Sequence, residues 1–323
     1  MANLHSPKNL PPLNIEKASS RVVVENNPRV AALLSSKLLL DRGLNSLLSV
    51  LLGSTKDINE LLETREDLFP LARVLDPSGK FYRRILSNSS FKKQQSKGGA
   101  LNIGSLLTAS APLINKKLKE RLQSSSNKIQ EELDIFETSY KLKLNILEGV
   151  NLHFCKKCRS IVSVGQFRSS VCACGVNILV PQLSEALLIY RLDQDTIQFI
   201  ENNIWLEHGI DYILRKKGFD TLCGYYVMGH SGILHEIDNI AEKTDDALRV
   251  FCECKTGDIT ISDIFIFAGK MQDIGCTRGY IFTTSFDVSK EVIRLARSRN
   301  IAIVEQVLEK SSKDVLKEIQ EIQ

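Results

Sequence analysis

Long apolar runs are missing from this 323-residue chain. Its most apolar stretch, Val30 to Gly53, is broken by Lys37, Asp41 and Arg42, so no segment approaches the roughly 20 apolar residues of a membrane span. The stretch from Met1 to Leu13 lacks the apolar core of a signal peptide, and a cytoplasmic protein with no membrane partner is the expectation. Proline is scarce: three of the eight (Pro7, Pro11, Pro12) fall in the first 20 residues, and none follows Pro181. With 43% hydrophobic and 25% charged residues, the composition excludes a disordered chain, a collagen-like repeat and a disulfide miniprotein. The length suggests about two domains.

Two absences narrow the chemistry. The N-terminal half has no strand, glycine-rich loop and helix in succession, which argues against a nucleotide-binding Rossmann unit there. Nowhere does a serine sit in a nucleophile-elbow pattern, which argues against a Ser–His–Asp hydrolase.

What is present is unevenly distributed. Residues 1–200 carry 27 Lys and Arg against 18 Asp and Glu, whereas residues 201–323 carry 15 against 20. One half is suited to meet a polyanion and the other concentrates carboxylates. The basic excess peaks in residues 78–128, where eleven Lys and Arg meet the single acid Glu120. That segment is either a phosphate-contacting surface or a solvated linker with a charged helix face.

The pattern divides the chain into a flexible tail (1–20), a helical N-terminal domain (21–150), a small cysteine module (151–182) and an α/β domain (184–323). Within the second, Leu-rich turns occupy Ala31 to Leu40 and Leu44 to Leu52, and Ser54 to Asp57 reads as a cap for a further helix. Ile129, Leu133, Phe136, Tyr140, Leu144 and Leu147 form a helical stripe within a long helix or helical pair over Leu113 to Leu147.

Four of the eight cysteines cluster: Cys155 and Cys158, then thirteen residues, then Cys172 and Cys174. Two thiolate pairs around a β-like stretch (Ile161 to Phe167) can close a tetrahedral, structural Zn²⁺ site of zinc-ribbon type. The one-residue gap of the second pair is less usual, and redox thiols are the alternative. Lys156, Lys157, Arg159 and Arg168 make this module basic.

From Ser184 on, the pattern alternates between strand and helix. A helix is expected from about Asp195 to Lys217, then a strand at Leu222 to Met228. Two further β-rich runs, Ile233 to Ala241 and Leu248 to Lys255, flank a polar turn and read as a hairpin. Glu253 and Lys255, two apart, share one strand face. Asp238 lies on the neighbouring strand, and Glu207 can approach from the preceding helix. Three converging carboxylates and a lysine are costly to bury unless a partner neutralises them, and a hard divalent cation suits carboxylate oxygens. On this reading Asp238, Glu253 and the backbone carbonyl of Cys254 hold Mg²⁺ or Mn²⁺. Lys255 stabilises charge on a phosphate, and Glu207 positions water or completes the shell.

Asp238…Glu253-Cys254-Lys255 resembles the signature of the PD-(D/E)xK nuclease superfamily, Mrr-type restriction endonucleases in particular. The resemblance runs from about Asn203 to Gln306, with Trp205-Leu206-Glu207 similar to the family's acidic helix motif. The same segments resemble the nuclease end of CRISPR-associated CARF effectors, although no CARF-like pattern precedes them. Ile237 stands where the family commonly has proline. The resemblance implies a restriction-endonuclease-like αβββαβ core, a mixed central sheet flanked by helices; the mainly α-helical N-terminal region and the zinc ribbon read from the spacing complete the expected fold. It further implies a metal-dependent endonuclease acting on double-stranded DNA rather than RNA, in restriction, defence or repair. A homodimer would be needed to cut both strands, and Lys270 and Gln272 are auxiliary site residues. The rival expectations are a non-catalytic nucleic-acid-binding or regulatory protein on the same fold, and a nuclease gated by a ligand or partner sensed by the N-terminal domain.

Overall fold

A computed structural model of the chain describes residues 12–17, 19–63, 103–157, 161–162, 171–172, 175–177, 186–243 and 248–321. The elements in chain order are β1 (Ile15–Lys17), α1 (Ser19–Glu25), α2 (Pro28–Ser35), α3 (Arg42–Glu63), α4 (Ile103–Tyr140), β2 (Leu147–Leu152), β3 (Leu187–Leu192), α5 (Gln194–Glu201), α6 (Ile204–Lys216), β4 (Asp220–Met228), β5 (Leu234–Lys243), β6 (Leu248–Lys255), α7 (Ile261–Ile274), β7 (Gly279–Thr283), α8 (Lys290–Ser298), β8 (Ile301–Val304) and α9 (Ser312–Glu321). They form two compact units: Met1–Leu48 with Lys143–Ile146 and Asp193–Gln323, and Ser49–Leu142 with Leu147–Leu192.

The first unit is mixed α/β. Its six-stranded sheet has the order β1-β4-β5-β6-β7-β8. The first three neighbour pairs are antiparallel, and β6-β7 and β7-β8 are parallel. The parallel crossings run through helices, α7 between β6 and β7 and α8 between β7 and β8, as parallel connections require. β6 is buried continuously from Val250 to Cys254 and β7 along its whole length, as expected of strands covered on both faces. Ile237, Ile240, Phe251, Ile264, Phe267 and Ile281 are at most 1% exposed and form the core of one face. Each contributes about 1.5–3 kcal/mol by leaving water.

Local chemistry fixes the ends of α7. Thr260 and Asp263 form a reciprocal capping box at its start, and Gly275 closes it with φ 81°. The expected single helix from Asp195 to Lys217 is two helices instead. Asn203 takes a left-handed conformation with φ 58°, which breaks the ladder between α5 and α6.

The expected flexible tail is also corrected in part. Ile15–Lys17 pairs antiparallel with β4 at the sheet edge, with Ile15 opposite Val227, and Ser19 already belongs to α1. Ile15 packs against the core cluster, which draws this short segment onto the sheet despite the prolines before it. The α/β unit therefore includes residues well before position 184, and residues 21–48 do not share a unit with the long helix.

The second unit joins α4 and the later turns of α3 to the two-stranded β2-β3 ribbon. Leu118, Leu122, Ile129, Leu133 and Phe136 form the buried stripe of α4. The helix ends at Tyr140, so Leu144 and Leu147 lie beyond it. No new helix starts at Ser54. α3 runs straight through it, and the buried Thr55 hydroxyl accepts the amide N–H of Leu192 at 3.0 Å. Ser126 does the same for Tyr190 at 2.8 Å. Among the described residues, no helix is long and apolar enough to cross a membrane.

Candidate active site

The hairpin register brings the expected carboxylates together. Asn239 pairs with Cys252, the last pair at this end of the β5-β6 ladder, and Asp238 and Glu253 are the next residues on each strand. The Cys254 amide donates to Asp238 Oδ2 at 2.6 Å, which locks the Asp238 side chain across the hairpin. Glu253 is buried, and each of its oxygens is held by a lysine. Lys255 Nζ lies 3.0 Å from Oε1, and Lys270 Nζ lies 3.1 Å from Oε2. Lys270 reaches in from α7 and also donates to the Glu236 carbonyl at 3.0 Å. Lys255 stands 3.9 Å from Asp263. Gln272 is exposed, and the 100° step per helical residue turns it away from Lys270's face.

Glu207 enters from α6. The apolar face of that helix (Ile204, Trp205, Leu206, Ile210, Ile213, Leu214) is buried, and Glu207 is 6% exposed. Asn239, fully buried on β5, donates through Nδ2 to the Glu207 backbone carbonyl at 3.0 Å, tying the helix to the strand that carries Asp238.

A residue outside the expected set completes this environment. Arg21 of α1 is 6% exposed, and its Nη2 lies 2.5 Å from Glu207 Oε2. Its Nε donates to Glu25 at 3.0 Å, and its Nη2 meets Cys223 Sγ at 3.4 Å. The guanidinium lies against Gly224, where a Cβ would come within 2.1 Å of it. Gly224 has φ 66°, so both the conformation and the close approach need glycine there. An isolated glycine inside a strand pattern is the one sequence signal that marked this contact.

The electrostatics follow from burial. Burial pushes the Glu207 carboxyl up to about 7; Arg21 opposes that push, and the charges of Glu236 and Glu253 add to it. Burial, then the charges of Glu207 and Glu253, hold Asp238 well above the ordinary carboxylate range. Lys255 is shifted upward: burial pulls it down, but Glu253, Asp263 and Asp238 outweigh burial. Four carboxyl groups (Glu207, Glu236, Asp238, Glu253) and three cations (Arg21, Lys255, Lys270) share this environment, and burial favours the neutral forms of Glu207 and Asp238. Burial raises the thiols of Cys223, Cys252, Cys254 and Cys276, which makes them poor nucleophiles.

His230 and His235 belong to a different device. His235 Nε2 lies 2.7 Å from Asp273 Oδ2, and Ser231 donates to the same carboxylate from its hydroxyl at 2.6 Å and from its amide at 2.9 Å. The His230 amide donates to the Asp273 carbonyl at 2.8 Å. These bonds pin the β4–β5 turn to the end of α7.

Among the described residues, no group of three His, Cys, Asp or Glu side chains stands ready to hold a metal. In the cysteine module, Cys155 and Cys172 are buried beside the isolated bridges Phe154–Ile161 and Val171–Asn177. Cys158 and Cys174 lie outside the described residues. So do residues 78–102 of the basic segment; its remainder runs along α4, where Lys116, Arg121 and Lys128 are exposed.

No protein-family description matches the chain, and no curated protein does. Among solved structures, protein VC1899 from Vibrio cholerae is similar over 87% of this chain and 56% of its own, at 12% sequence identity and a TM-score of 0.36. The chain thus spans a little over half the length of that protein.

Proposed function

We propose that this protein is a divalent-metal-dependent phosphodiesterase, an endonuclease of the PD-(D/E)xK type acting on DNA in preference to RNA. The observation that carries this reading is the meeting of Asp238 and Glu253 on adjacent strands, with Lys255 on Glu253 and the buried Glu207 alongside. The donors are hard oxygens, and a divalent cation would offset the burial that favours the neutral forms of Glu207 and Asp238, which suits Mg²⁺ or Mn²⁺. Asp238, Glu253 and the Cys254 carbonyl are the proposed ligands, and Lys255 and Lys270 must yield oxygens of Glu253 for them to act. A bound ion would polarise the phosphoryl oxygen and lower the pKa of the attacking water. Lys255, released towards the substrate, would offset charge developing on the phosphate. Glu207 would orient the water or complete the metal shell.

The remaining parts of the reading are proposals of the same standing. The Cys155, Cys158, Cys172 and Cys174 module would hold structural Zn²⁺, and the basic face of α4 would contact the phosphate backbone. Two copies would be needed to cut both strands of a duplex. Restriction, mobile-element defence or repair would be the setting, in a cytoplasmic protein.

The test is one gel series. The purified protein meets plasmid, linear duplex, single-stranded DNA and RNA with Mg²⁺, Mn²⁺ or EDTA, beside Glu253→Ala and Lys255→Ala. Metal-dependent cutting that both variants lose is expected. Cutting that survives in either variant overturns the site. Cys155→Ser is expected to lower the melting temperature and the bound zinc, and unchanged zinc would overturn the ribbon.

A further inference from the structure

The Glu207 carboxylate is held by a residue that sequence proximity would never pair with it. Arg21 comes from the segment that starts with β1, and 202 positions separate it from Cys223, its other neighbour in the sheet. The guanidinium is held on several sides: Glu207 at 2.5 Å, Glu25 at 3.0 Å and the Cys223 sulfur at 3.4 Å, with the bare backbone of Gly224 packed against it. Glu25 is itself fixed by Lys17 of β1 and by His208, the residue after Glu207, whose Nε2 lies 3.0 Å from it. The arm of residues 15–25 and the helix carrying Glu207 are therefore joined by one buried ionic network, His208–Glu25–Arg21–Glu207.

We propose that Arg21 is a positioning residue of the hydrolytic site: it fixes the Glu207 carboxylate against the sheet, so the site is complete only when the N-terminal arm is docked. This rests on the phosphodiesterase reading above. Arg21 touches no reacting atom, and it acts through Glu207. A lysine at position 21 presents one ammonium in place of the planar fork that spans Glu25 and Glu207 together, so it restores only part of the function. A purely structural arginine would be coupled to Glu207 in stability but not in the cleavage rate or Mn²⁺ affinity of the folded protein. A positioning arginine has nothing left to position once Glu207 is neutralised.

The experiment is a double-mutant cycle in the full-length protein with Arg21→Met, Arg21→Lys, Glu207→Gln and the double variant Arg21→Met/Glu207→Gln. Two readouts are taken: the initial rate of Mn²⁺-dependent plasmid cleavage, and Mn²⁺ affinity by calorimetric titration. Arg21→Met is expected to lower the rate by about tenfold or more in the parent background and by less than about twofold in the Glu207→Gln background. Arg21→Lys is expected to recover part of the loss, and Mn²⁺ affinity to show the same non-additivity. Losses that simply multiply in both readouts overturn the proposal, as does full activity in Arg21→Met. If Arg21→Met does not fold, Arg21→Lys against Arg21→Lys/Glu207→Gln makes the same comparison. A parent that binds Mn²⁺ but never cuts overturns the phosphodiesterase reading, and the affinity cycle alone then decides the role of Arg21. A parent that neither binds nor cuts overturns both.

Discussion

The Cys254 amide donates a 2.6 Å hydrogen bond to Oδ2 of Asp238 across neighbouring strands. An asparagine oxygen can accept the same bond, so Asp238→Asn preserves the hairpin while removing the charge. Burial and the charges of Glu207 and Glu253 raise Asp238 in the folded state. A carboxyl raised in this way leaves stability intact below its unfolded pKa of about 3.9 and costs stability as pH climbs through the folded value. In EDTA, Asp238→Asn is therefore expected to melt above the parent at pH 8 and level with it near pH 4, while losing all metal-dependent cleavage. Thermal melts from pH 4 to 9 check this, and a variant less stable than the parent at pH 8 contradicts the assignment.

Glu25 titrates in the opposite sense. Burial works against its charge, but hydrogen bonds from His208, Lys17 and Arg21 bring its carboxyl down to about 2. A depressed acid contributes stability above its unfolded pKa and loses it as pH falls through the folded one. Glu25→Gln is expected to destabilise at pH 7 by about 1–2 kcal/mol, the free-energy equivalent of that shift discounted for the solvent that screens a half-buried carboxyl. The gap should narrow between about pH 4.5 and pH 2. Urea denaturation of both proteins across that range measures it, and a gap independent of pH would remove the ionic account.

Lys270 holds one oxygen of Glu253 at 3.1 Å, so any metal must compete with it. Lys270→Met is expected to tighten Mn²⁺ binding by about threefold or more, the size of one removed charge in a partly screened site. Weaker binding in the variant would mean that Lys270 supports the metal rather than rivalling it.

Gly279 opens β7 directly beneath α7. A Cβ there would lie 2.5 Å from the Met271 sulfur and 2.7 Å from a Phe267 ring carbon. Gly279→Ala is expected to cost about 1–3 kcal/mol by overpacking. Phe267→Ala, which leaves a cavity instead, is expected to cost about 3–5 kcal/mol. Chemical denaturation distinguishes them, and a neutral Gly279→Ala would show that α7 shifts freely.

The β5-β6 hairpin was legible in the sequence because its two β-rich runs carry their own periodicity and flank a polar turn. Asp238, Glu207, Glu253 and Lys255 were legible because hairpin register and helix phase are local properties. β1 was not, since three residues after a proline pair carry no period that could be counted. Arg21 was hidden for a deeper reason: its partners are fixed by sheet order, and sheet order is not written in any window of the sequence. The break at Asn203 escaped notice because an asparagine can continue a helix or turn left-handed, and the packing of α6 decides between them.

The pairing of β1 with β4 also sets a timetable for synthesis. The arm leaves the ribosome some 200 residues ahead of its strand partner and its ion-pair partner. At typical elongation rates that is a wait of roughly 10–40 s. Throughout it, Arg21 and Glu25 have no sheet to close against, while the whole of the second compact unit is made. The N-terminal arm therefore cannot dock before β4 emerges, and a chain released before β4 is complete can assemble no part of the carboxylate cluster.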